Sequence, residues 1–251
     1  MPLLAAALGT RCRALGLSRQ AGTDAAAEGW MQGWRSGLLR LIASRVSQWN
    51  RGRKLRSFAE VLRPTSATRV LDVGFSDHEY GDYENYLEKH YPWPRQLTVL
   101  GTDEPRECPK KYPDISFVRY DGELFPFETD SFDVACSNAV LEHVGGYDRQ
   151  VLFVREMARV APSVWITTPS RAFPIDTHTL IPLAHWLPRR MRDAIYSKLG
   201  KRWATGDSIN LLYKGEIKRI LRAAGVERYA ILTNRIAFLP LDYVLVIRGS
   251  R

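Results

Sequence analysis

Four short apolar runs, each closed by small or acidic residues, constrain the fold of this chain more than any other feature. The first ends at Asp72 and Gly74 in Val70-Leu-Asp-Val-Gly74, the second at Gly101-Thr102-Asp103, and the third at Asp121-Gly122. The fourth reads Ser131-Phe-Asp-Val-Ala-Cys-Ser-Asn138 and continues to Leu141-Glu142-His143. Runs of this length are the pattern of strands buried on both faces. An open parallel sheet builds its ligand crevice beyond the carboxyl ends of such strands. A carboxylate at the tip of a second strand suits a vicinal ribose diol, and an acid with a glycine at the tip of a third can meet an adenine edge. The series describes a nucleoside site.

The rest of the chain alternates in the same way. Strands are expected at 69–73, 97–102, 115–120, 132–136 and 164–168, with helices at about 83–90 and 148–160. Residues 170–210 form an insertion with a helix at about 188–199. A helix at 214–224 ends at Gly225, and two β-rich runs, 228–237 and 242–248, close the chain. Alternating strands and helices predict an α/β fold of the Rossmann-like, doubly wound kind, with a mostly parallel seven-stranded sheet and right-handed crossovers. With 45% apolar residues in 251, one core suffices for a domain at 65–251.

Charge sets residues 1–64 apart as a basic N-terminal extension. The first 69 residues hold 12 Lys/Arg against 3 Asp/Glu, whereas residues 70–251 hold 24 of each. The whole excess therefore precedes the first strand and says nothing of a nucleic-acid-binding catalytic domain. Trp30, Trp34, Leu38, Leu41, Ile42, Val46 and Trp49 recur at helical spacing. Seven basic residues and no acid lie between Trp30 and Arg56. A second short helix is expected over Leu55–Leu62, stopping near Pro64. Cys12, Cys108 and Cys136 form no CxxC or zinc spacing and read as reduced thiols in a reducing, cytoplasmic compartment. No stretch is long and apolar enough to span a membrane. The apolar start lacks the preceding basic residues of a signal peptide. The five histidines and scattered acids show no ligand spacing, so no metal site is expected.

The stretch Asp121-Gly-Glu-Leu-Phe-Pro-Phe-Glu-Thr-Asp-Ser-Phe-Asp-Val-Ala-Cys-Ser-Asn-Ala-Val-Leu-Glu-His143 resembles the class I S-adenosylmethionine-dependent methyltransferases, in particular the small-molecule branch called type 11. The likeness runs from about Val70 to Thr168. It implies S-adenosylmethionine as cofactor and an antiparallel strand pair at the end of the sheet. Its motifs place Asp72 and Gly74 at the methionine part, Asp103 on the ribose, and Asp121 and Gly122 at the adenine. Ser137 and Asn138 would lie beneath the reacting methyl. The chain departs from the family after Gly74, where Phe75-Ser76-Asp77-His78 replaces the usual further glycines and Gly81 is the next flexible point. The same departure excludes the Gly-rich turn that a dinucleotide pyrophosphate requires.

Methyl transfer asks the protein chiefly for alignment and for exclusion of water. A base is needed only when the acceptor is a hydroxyl or a protonated amine. Candidates for acceptor chemistry are Arg171 and His178 in the insertion and His143 in the Leu-Glu-His element, which alternatively caps the following segment. His185 is read as a packed histidine sooner than a site residue. The expected acceptor is a small molecule or a lipid- or glycan-linked group. An RNA or protein acceptor, or a chain that has lost its cofactor, are the competing readings, and nucleic acid is disfavoured by the neutral catalytic part. Residues 30–56 either lie on an anionic membrane surface, giving a membrane-peripheral enzyme, or fold over the cofactor as a cover.

Overall fold

The computed structural model describes residues 38–79 and 84–249, with side chains from residue 45 onward. Helix α1 (Leu38–Leu62) leads into strand β1 (Val70–Val73), then α2 (Tyr86–His90), β2 (Leu97–Gly101), α3 (Cys108–Lys111), β3 (Ser116–Arg119) and β4 (Val134–Asn138). Helix α4 (Tyr147–Val160), β5 (Ser163–Pro169), α5 (Arg189–Lys198), α6 (Lys214–Ala223), β6 (Tyr229–Ile236) and β7 (Leu239–Arg248) complete it. The strands form one seven-stranded sheet in the order β3-β2-β1-β4-β5-β7-β6. β1 to β5 are mutually parallel, and β7 runs antiparallel to both β5 and β6. The sheet, its mostly parallel character and its antiparallel end agree with the sequence expectation.

The central strands are apolar on both faces because both faces are covered. On one, α4 and α6 pack Val154, Met157, Ile217 and Ile220 against Leu71, Ala135 and Ile166. On the other, Phe58 of α1 joins Val70, Val99, Val134 and Trp165, its ring edge-on to Trp165. Burial of such side chains contributes about 1.5–3 kcal/mol each. One boundary expected from the sequence is absent. The chain does not break between Trp49 and Leu55: α1 runs on through Gly52, since the inward positions Asn50, Leu55 and Phe58 keep helical spacing against the sheet. Trp30 and Trp34 lie outside the described residues.

The insertion after β5 has a small core of its own, built from Ala184, Tyr196, Ala204, Ile209 and Leu211. A bridge between Ser170 and Leu212 closes its base. The carboxyl ends of β1 to β5 therefore face this insertion on one side and α1 on the other.

Candidate functional site

The ends of β1, β4 and β5, the inner side of α1 and residues 84–88 enclose a cavity of about 240 Å³. Gly74 lines it with φ +112°, and a Cβ there would stand 2.1 Å from Cγ2 of Val140. The backbone passes closer to the cavity wall than any other residue would allow. Asp72, two residues earlier on β1, faces the same space, and burial pushes its carboxyl above the usual range against the opposing contact from Cys136. Glu88 of α2 is shifted upward too, by burial first and by Asp72 second. Its Oε2 is buried and makes no hydrogen bond among the described residues. Two buried carboxyl groups facing one cavity, one of them with an unmet oxygen, fit the amino and sulfonium cations of S-adenosylmethionine.

The glycine-poor loop after β1 is held by side chains instead. Phe75 is buried against Gly101, where a Cβ would come within 2.5 Å of its ring. Asp77 accepts the backbone N–H groups of Arg106, Glu107 and Cys108 at the start of α3. Burial opposes ionisation of Asp77, but those three donors outweigh it and hold the carboxyl below its ordinary value. Asn85 ties Ser76 from both sides, accepting its N–H at 3.1 Å and donating to its carbonyl at 2.8 Å. Ser76 and Asn85 both line the cavity. Gly81 lies outside the described residues.

A third wall comes from α1, the cover that the sequence offered as one of two readings for residues 30–56, although nothing there singles out Lys54. Lys54, in the basic run of that segment, points inward. Its Nζ lies 3.4 Å from the Asp242 carboxylate and donates at 3.3 Å to both Asn138 Oδ1 and Thr167 Oγ1. Burial lowers its pKa, and Asp242 opposes that shift. Asp242, buried on β7, also accepts from Asn50 and from Asn234 at 2.6 Å. The expected site residue Asn138 is thereby fixed at the cavity wall. Ser137 lines the cavity too, with its hydroxyl donated to the Val73 carbonyl at 2.8 Å.

Beside the cavity, at the wall that His178 lines, three polar side chains converge. His178 Nε2 and His143 Nε2 are 3.0 Å apart. Glu142 Oε1 lies 3.7 Å from the first and 4.0 Å from the second. Each group is oriented from behind: His178 Nδ1 meets Asp176 at 2.9 Å, His143 Nδ1 meets the Ser208 carbonyl at 3.0 Å, and Thr168 donates to Glu142 Oε2 at 2.9 Å. Burial disfavours the imidazolium of His178, but Asp176 outweighs it and the pKa rises. Burial wins at His143 and lowers its pKa. Ligand spacing along the sequence misses this cluster because His143 and His178 are 35 positions apart and meet only when the insertion folds back.

Not every expected residue reaches the cavity. Asp103, Asp121 and Gly122 stand at the exposed ends of β2 and β3, on the same sheet edge but outside this enclosure. That is the placement an adenosine lying across the strand tips requires. Arg171 is not brought beside His178. Its guanidinium stacks 5.2 Å over the Tyr213 ring and lines a separate cavity of about 210 Å³ with His185. The cause is local: β5 hands the chain to a bridge with Leu212, which turns Arg171 toward α6. His185, buried and 3.1 Å from the Arg171 carbonyl, is a packed residue.

Residues 91–163 match the sequence model of a methyltransferase domain family. Over that stretch the chain is similar to a methyltransferase domain. The match begins after β1, so the glycine-poor loop falls outside it. No curated protein matches the sequence. Among solved structures the chain is similar to magnesium protoporphyrin IX methyltransferase from Synechocystis PCC 6803 with bound SAH, at 13% identity over 92% of this chain and 95% of that one, TM-score 0.53. The methyltransferase domain of bacterial-CtHen1-CN gives 15% identity over 79% and 98%, TM-score 0.50. A carbon methyltransferase, CurJ, gives 18% identity over 75% of this chain at TM-score 0.47, and the match covers 50% of that chain. The first two likenesses speak for the fold.

Proposed function

We propose that the chain transfers a methyl group to a small or lipid- or glycan-linked acceptor whose nucleophilic oxygen or nitrogen enters between Lys54 and His178. The observation that carries this reading is the cavity itself. It runs from the Gly74–Asp72 end, suited to the cationic part of the cofactor, to a polar end formed by α1 and the insertion. S-adenosylmethionine, when bound, supplies a methyl on an activated sulfonium. The chain's own groups do the remainder. Asp103 accepts from ribose hydroxyls, Asp121 and Gly122 meet the adenine, and Asn138, held by Lys54 and Thr167, fixes the wall beside the reacting carbon. The cover formed by Lys54, Leu55 and Phe58 keeps water out of that end, where orientation can be worth about 7–11 kcal/mol of barrier.

A cytoplasmic enzyme seated on an anionic membrane face is the fuller form of this proposal. What supports it is the outward side of α1, where Trp49 is 51% exposed and Arg53 stacks 4.4 Å over its ring. The test is calorimetric titration of the purified chain with S-adenosylhomocysteine, followed by an acceptor screen with labelled cofactor. Asp103→Ala should weaken binding by about 1.5–3 kcal/mol, the scale of a hydrogen bond to a charged group. A variant that binds as well as the parent removes Asp103 from the site, and a parent that does not bind removes the reading altogether.

A further inference from the structure

We propose that Glu142, His143 and His178 bind one divalent transition-metal cation beside the cavity, at the wall that His178 lines. The argument starts from protons. A carbonyl can only accept, so the 3.0 Å contact with Ser208 places the proton of neutral His143 on Nδ1. Asp176 accepts the Thr179 hydroxyl and the His178 backbone N–H, so it stands as an acceptor and the His178 ring donates to it from Nδ1. Both Nε2 atoms then carry lone pairs, and these face each other at 3.0 Å. The two nitrogens are satisfied when one cation, a shared proton or a metal ion, lies between them.

The third group points the same way. Glu142 is fully buried, and its Oε1 makes no hydrogen bond among the described residues, although its other oxygen is held by Thr168. A buried carboxylate oxygen without a donor costs free energy unless something positive meets it. All three candidate ligand atoms lie within 4.8 Å of one another. Donors about 2.0–2.1 Å from one zinc-like ion sit roughly 3–3.4 Å apart, so a few tenths of an ångström of side-chain movement completes the set. The carbonyl and carboxylate behind the two rings are the outer partners that metal-bound histidines use. Two imidazoles with one carboxylate suit zinc, cobalt or iron, whereas magnesium and calcium prefer all-oxygen sites. His143 is 38% exposed, so the cluster is open to solvent on one side.

The role of the ion rests on the function proposed above. It would hold an acceptor hydroxyl whose proton passes to solvent. The oxygen lone pair then forms the new O–C bond while the S–C bond breaks with its electrons on sulfur, releasing S-adenosylhomocysteine.

The test is metal binding by the full chain, stripped with a chelator and titrated with Zn²⁺ by calorimetry and with Co²⁺ by visible absorption. One Zn²⁺ per chain is expected, with His143→Ala and His178→Ala each weakening it at least 100-fold. Asp176→Asn should weaken it roughly 10–100-fold, the effect of losing an outer partner. His78→Ala, remote from the cluster, should match the parent. Unchanged S-adenosylhomocysteine affinity in His143→Ala shows that the variant is folded. Absence of Zn²⁺ binding at millimolar concentration, or binding that survives both histidine variants, overturns the proposal and leaves the two rings sharing a proton. Zn²⁺ binding without S-adenosylhomocysteine binding would instead overturn the function reading and spare the metal site.

Discussion

Replacing Gly74 with Ala tests whether the cofactor wall is built on a backbone contact that tolerates no side chain. The new methyl would lie 2.1 Å from Val140 Cγ2, well over an ångström inside an ordinary carbon–carbon contact of about 3.5–4.0 Å. Overpacking of this kind costs about 1–3 kcal/mol, and a φ of +112° adds roughly another 1–2 kcal/mol for any residue with a Cβ. The sum, about 2–5 kcal/mol, is below the 5–15 kcal/mol typical of whole domains, so the variant folds. At about 2–4 °C per kcal/mol its melting temperature should fall by roughly 5–15 °C. The double variant with Val140→Ala separates the two parts. It removes the overlap and keeps the backbone strain, so coupling of about 1–3 kcal/mol should appear in the cycle. Melting by calorimetry or circular dichroism reads both. A Gly74→Ala variant melting within a degree of the parent refutes the contact. Strict additivity in the double variant assigns the whole cost to strain and removes Val140 from the argument.

Lys54→Met should cost about 1–3 kcal/mol by denaturant titration, because Asp242 loses its cation but keeps the Asn50 and Asn234 donors. It should also reduce turnover more than S-adenosylhomocysteine affinity, and equal losses in both would place Lys54 against the cofactor. The raised carboxyls of Asp72 and Glu88 bind protons in the folded state at pH values where the unfolded chain has released them. Stability must therefore fall as pH rises from the ordinary carboxylate range through the folded values, and Glu88→Gln should flatten that slope in melts across pH, whereas an unchanged slope assigns it to other groups. Co-sedimentation with phosphatidylglycerol vesicles should be lost on removing residues 1–50 and reduced by Trp49→Ala with Arg53→Ala; equal binding by all forms ends the membrane reading.

Sequence alone carries the sheet because its strands are apolar on both faces and each ends in a small or acidic residue. It carries Asp72, Gly74, Ser137 and Asn138 to the cavity for the same reason, since a strand end fixes where a side chain stands. Lys54 stays hidden because burial is a property of the partner. Nothing in Arg51-Gly-Arg-Lys54 says that Asp242, almost two hundred residues on, waits beneath it. Glu88 is hidden likewise, as one acid in a helix rich in charge. Arg171 misleads because the insertion turns at Ser170, and a bridge outside the periodic elements decides the direction.

Helix α1 shows why one segment supports two readings at once. Its Trp49 is 51% exposed, Arg53 stacks on that ring while reaching the Arg235 carbonyl of β6, and Lys54, Leu55 and Phe58 face the cavity and core. At about 100° per residue, Trp49 and Phe58 are half a turn apart. Asn50, next to Trp49, is already turned inward, its buried amide tied to Asp242. The same Asp242 holds Lys54, and Lys54 holds Asn138 at the wall of the cavity. Asn50, Asp242, Lys54 and Asn138 thus form three consecutive polar contacts that run from α1 to the wall of the cavity.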